Sequence, residues 1–164
     1  MTDQEPKLDN PRDIYVDCIF PAFKEAFDGG HGMFLDKGTS LFETLEGISA
    51  ELASRPVSST CASIAAQVAH VNFYCEVLED WMLGQQLGKV DWNHIWNTVS
   101  TVTPEEWEAS KATLRETYER IVGHMQGFHA WDKLPQIGGS MAIVVHTAYH
   151  LGEIRQALCT LREG

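Results

Sequence analysis

Apolar residues recur three and four positions apart along most of the chain, the period of an amphipathic helix. Residues 13–30 read as a first helix that Gly29 and Gly30 bring to a stop. Residues 39–52 read as a second helical piece. Ser40 and Glu43 stand there at capping-box spacing, and Leu41, Leu45, Ile48 and Leu52 form a stripe. The longest unbroken pattern spans residues 61–88, through Ile64, Val68, Val71, Cys75, Leu78 and Met82. Residues 91–99 read as a short helix with Trp92 and Trp96 on one side. Residues 103–125 open on Thr103 as N-cap, Pro104 at the first helical position, and Glu105 and Glu106 in the first turn. Residues 126–140 read as a loop, with Ser140 capping a final helix that runs to about Leu161.

No stretch alternates with period two between hairpin turns. The pattern therefore predicts an all-α fold, an antiparallel four-helix bundle built as one domain over residues 1–164. Residues 1–11 are expected to be a loose tail. The first helix is expected to be broken, and an extra short helix is expected in the long link at about residues 86–102.

Charge narrows the partners. The 164 residues carry a formal net charge of −11, which argues against a nucleic-acid backbone and against anionic membranes. No apolar run reaches the ~18 residues of a membrane span, and no secretory signal is visible. Cys18, Cys61, Cys75 and Cys159 are scattered, so they read as reduced thiols, each a small core hydrophobe, in a cytoplasmic protein.

The candidate chemistry lies in the histidines. In HTAYHLGEIRQAL, His146 and His150 stand four apart, so both rings leave one helix face about one turn apart. A zinc ion with imidazole ligands at ~2.0–2.1 Å needs a third donor from elsewhere. His70, mid-helix among Ile64, Val68, Val71 and Phe73, is the candidate. Three imidazoles leave a coordination position open, whereas three histidines satisfied by hydrogen bonds remain the metal-free alternative. Thr147 stands where the H-E-x-x-H protease motif requires its glutamate, which removes that reading. Glu153 is three residues past His150. It reads as a candidate catalytic residue, an acceptor behind a ligand or a proton shuttle, or else as a surface ion-pair partner. Tyr74 and Trp81 read as packing near the same face, Gly152 as a place of close helix approach. His31 and His94 read as ordinary surface or loop residues, with His94 at the pocket mouth as the alternative, and His124 and His129 flank the end of the third long helix with no site argument.

HTAYHLGEIRQAL closely resembles the last-helix motif of the DinB/YfiT-like metalloenzyme family, an H-x-x-x-H pair followed by Gly, Glu and Ile. SIAAQVAHVNFYCEVLEDWMLG resembles that family's second helix, with His70 and Trp81 in the matching positions. The resemblance runs from about Thr39 to Leu158 and departs at DGGHGMFLDKG. It implies a four-helix bundle holding a divalent metal through His70, His146 and His150. Characterised relatives include thiol-dependent S-transferases and a mycothiol-dependent maleylpyruvate isomerase. The implied function is a metal-dependent enzyme acting on a small-molecule substrate by activating a thiol or water. The alternative is a non-catalytic metal-binding bundle serving as a structural or interaction module. Imidazole ligands suit zinc, nickel, iron or copper alike. A low-molecular-weight thiol is the co-substrate that the S-transferase relatives imply, and a homodimer is expected.

Overall fold

The computed structural model describes residues 10–30 and 32–163, the last by its backbone alone. Residues 1–9 of the expected tail and His31 lie outside the described residues. Among the described residues the chain is all-helical, with seven helices and no strand. They are α1 (Pro11–Phe27), α2 (Leu41–Leu45), α3 (Ala50–Ser54), α4 (Ile64–Met82), α5 (His94–Thr98), α6 (Pro104–Gln126) and α7 (Leu134–Glu163). Local sequence sets most of the starts. Asn10 caps α1 by accepting from Arg12 N–H, Ser63 caps α4 by accepting from Ala66 N–H, and Thr103 caps α6 with Glu106 completing a capping box. The second helical piece divides into α2 and α3 around Gly47, whose φ of 72° is left-handed.

The four long helices share one apolar core. Phe23 and Phe27 of α1 stack on Tyr118 of α6, and the Trp107 indole N–H donates to the Ile48 carbonyl at 2.7 Å. Gln67 meets His150 while Trp81 and Met82 meet Gly138 and Gly139, so α4 and α7 are antiparallel. The expectation of antiparallel neighbours throughout fails at α4 and α6. Glu79, near the end of α4, pairs with Arg120 and His124, near the end of α6. At the opposite end, Ser63 and Ala66 share a cleft with Ser100 and Thr101. These two helices run the same way, and the reason is the link. A hairpin needs about 2–8 residues, whereas residues 83–103 are long enough to return alongside α4, a 19-residue helix of about 28 Å.

The last helix begins earlier than its glycines predict. α7 starts at Leu134 and runs through Gly138, Gly139 and Ser140. Ser140 is therefore not a cap. It is buried, and its hydroxyl donates to the Gln136 carbonyl at 2.7 Å and meets the Tyr15 hydroxyl at 2.7 Å. Packing overrides propensity here. A Cβ on Gly139 would lie 2.3 Å from Met82 Cγ, so only glycine lets α7 approach α4 this closely. Gly139→Ala is expected to destabilise by about 1–3 kcal/mol despite alanine's better helix propensity. Gly152 was expected to serve close approach, yet a Cβ there meets nothing within 4 Å. Gly152→Ala should accordingly gain up to about 1 kcal/mol. Urea midpoints of the two variants measure the contrast, and equal shifts would remove the packing argument.

Three of the four cysteines are exposed rather than core, because only Cys75 stands on the inward face of a long helix. All four are free thiols. No described helix is long and apolar enough to cross a membrane.

Candidate metal centre

The inward faces of α4 and α7 bring His70, His146 and His150 together. One nitrogen from each ring lies within 4.8 Å of the others. Ring centroids are 5.0 Å apart for His70–His146, 4.9 Å for His70–His150 and 4.4 Å for His146–His150. His70 and His150 are buried and His146 is half-buried. The sequence-predicted triad is thus one spatial cluster that could hold a metal ion.

Two nitrogens of the cluster test that fit. His70 Nδ1 and His146 Nε2 are buried with no hydrogen-bond partner. Buried polar atoms are nearly always paired, and an orphan costs free energy. An ion accepting both lone pairs removes that cost. His150 is held differently. Its Nδ1 meets Gln67 Oε1 at 2.5 Å and Glu153 Oε2 at 2.8 Å. Two acceptors at Nδ1 put the proton there and leave Nε2 with its lone pair, the arrangement that orients a metal-binding histidine. Glu153 therefore sits behind a ring of the triad, and its side chain keeps 38% exposure.

Burial keeps the rings neutral. It is the largest cause in each case. His70 is lowered to about 4, with the nearby His150 adding to the effect and Glu153 opposing it. His146 is lowered to about 3, with His150 and His70 both contributing. His150 is lowered by burial against the pull of Glu153. Neutral imidazole is the form that binds a metal.

Aromatic rings brace two of the imidazoles. Tyr74 stacks on His146 with centroids 3.5 Å apart and planes 11° apart, so its role is packing, as its position predicts. Trp96 of α5 stacks on His70 at 4.2 Å and 30°. Trp92 packs on Tyr74 from the same link. Trp81 lies away from the cluster, against Gly138. His94 and His129 are exposed, and His124 pairs with Glu79 at 3.3 Å. A cleft of about 810 Å³ opens beside the triad, with His150, Gln67, Glu153, Trp96 and Tyr149 in its wall.

No family model, curated protein or solved structure matches the chain. The site is therefore read from its own residues. Sequence reasoning missed Gln67. Its signal was present, because a lone glutamine one turn before His70 shares that residue's face.

Proposed function

We propose that this protein is a divalent-metal-dependent enzyme of the DinB/YfiT-like kind, with His70, His146 and His150 as ligands and a small molecule reacting in the adjoining cleft. The observation that carries this reading is the pair of buried, partnerless nitrogens, His70 Nδ1 and His146 Nε2, on two rings of a three-histidine cluster whose third ring, His150, lines a cleft. Four long helices around one core suit the bundle that the sequence resemblance implies. A bound ion would supply Lewis acidity toward a thiol or a water. Gln67 and Glu153 fix the ring of His150 through its Nδ1. The Glu153 carboxylate, part-exposed in the cleft wall, would take the proton that a thiol or water gives up. Trp96 stacks over the His70 ring.

Protein purified without a histidine tag is expected to contain one equivalent of zinc, nickel or iron by elemental analysis. The His146→Ala/His150→Ala double variant should lose it while keeping its helical circular dichroism. Absence of metal in both proteins would sink the reading. Metal-dependent conjugation of a low-molecular-weight thiol to an electrophile then separates a transferase from a hydrolase. Stoichiometric metal with neither activity would leave the non-catalytic bundle.

A further inference from the structure

The cleft beside the triad adjoins a second one of about 570 Å³, and the two share Thr60, Cys61, Ala62 and Trp96. Their charge content is low even for a chain in which 21% of residues are charged. Among the described residues Glu153 is the sole ionic side chain in the wall of the first cleft, and the second has none. Neither contains a lysine or an arginine. The walls combine apolar groups such as Val57, Ala157 and Val99 with the hydroxyls and amides of Thr60, Thr160, Gln156 and Ser100, set around the Trp96 indole. The cations of α7 point elsewhere. Arg155 and Arg162 border a separate depression with Cys159, and Arg155 reaches Thr44 at 3.4 Å.

A carboxylate or phosphate entering the paired cleft would lose water and meet no cation, while Glu153 repels it. An uncharged molecule would lose little and could stack on the indole and bond to the hydroxyls. An ion at the triad would favour an anionic donor atom at the inner end of the cleft alone, because the rest of the wall offers no positive charge. We propose that the paired cleft selects small molecules whose body carries no anionic group, with Glu153 turning carboxylates and phosphates away. That the molecule reacts at the triad rests on the metal reading above, whereas the charge selection stands on the cleft wall itself.

Cys61 is an exposed thiol in both clefts and serves as a reporter. In a metal-free Cys18→Ser/Cys159→Ser protein, its modification rate is measured with three methanethiosulfonates: sulfonatoethyl, hydroxyethyl and trimethylammonioethyl. Each rate is divided by that of free 2-mercaptoethanol. The anionic reagent is expected to be about ten-fold slower than the neutral one, and Glu153→Gln should narrow that gap about three-fold. Cys159, beside Arg155 and Arg162, should show no such gap in a Cys18→Ser/Cys61→Ser protein. Equal rates at Cys61, a gap untouched by Glu153→Gln, or the same gap at Cys159 would overturn the proposal. A second arm loads the wild-type protein with cobalt(II) and follows thiolate-to-cobalt absorption. N-acetylcysteine amide should bind at least about five-fold more tightly than N-acetylcysteine, and equal affinities would again overturn it. Cobalt's own visible bands report whether the triad takes an ion. A failure there counts against the metal reading, while the Cys61 rates still judge the cleft.

Discussion

Glu25→Ala is expected to lower stability by about 2–4 kcal/mol, among the largest losses from a single polar residue in this chain. Glu25 is a carboxylate on the inner side of α1, 2% exposed. It accepts from the N–H groups of Met33, Phe34 and Leu35 at 2.8, 2.8 and 2.6 Å. These three donors belong to the segment between α1 and α2, which has no ladder of its own. A buried charge is tolerated when it is fully hydrogen-bonded, and here the bonds also fix the path of the chain. Gly30 is part of the same device, because a Cβ there would lie 2.7 Å from Glu25 Cβ. Truncation to alanine leaves three donors to find water in a segment whose side chains are partly exposed, so the loss stops short of unfolding. Glu25→Gln should cost less, about 1–2 kcal/mol, because one amide oxygen still accepts. Urea denaturation gives the magnitudes. Faster amide exchange at residues 33–35 in both variants gives the mechanism, and unchanged exchange there would refute it.

The second large effect is a coupling of pH, metal and stability. The three histidines titrate near 6.5 when unfolded. Folded, His70 is lowered to about 4 and His146 to about 3, with burial the main cause, and His150 is lowered as well. Between 6.5 and the folded values the unfolded chain holds more protons. Stability therefore rises with pH in that window and is lost as pH falls from 6.5 toward 4 and then 3. Above 6.5 the rings are neutral in both states and contribute no slope. Urea midpoints of metal-free protein should fall from pH 7 to pH 5. A His146→Leu/His150→Leu variant should show a smaller fall, since other groups supply the remainder. Under the proposed function, an ion at a thousand times its dissociation constant adds about 4 kcal/mol. It also shifts acid unfolding to lower pH. Identical slopes in wild type and variant would refute the burial argument, and midpoints indifferent to added zinc, nickel and iron would refute the ion.

Much of this was legible because it is local. Thr103-Pro104-Glu105-Glu106 announces the start of α6, and Ser40 with Glu43 announces α2. The triad was legible because His146 and His150 share a face by helix geometry and His70 stood alone in an apolar run. What escaped depends on contacts between distant segments. Gly138-Gly139-Ser140 carries a loop signal, and only Trp81 and Met82 across the interface explain why a helix passes through it. The parallel course of α4 and α6 has no periodicity of its own. The long link permits it, and the pairing of Glu79 with Arg120, which no local pattern encodes, reveals it. Trp96 was legible as one side of a short helix, but not as the ring lying on His70.

That stacking also bears on entropy. An unrestrained imidazole swings about two side-chain torsions, and a ligand set that must be stilled on capture binds more weakly for it. Here His70 lies under Trp96, His146 under Tyr74, and His150 is tethered at Nδ1 by Gln67 and Glu153. Each ring thus has a packed or bonded neighbour before any guest arrives. Under the proposed function, discrimination among ions of similar softness should then follow the spacing of three nitrogens, and loosening any one brace should broaden the range accepted.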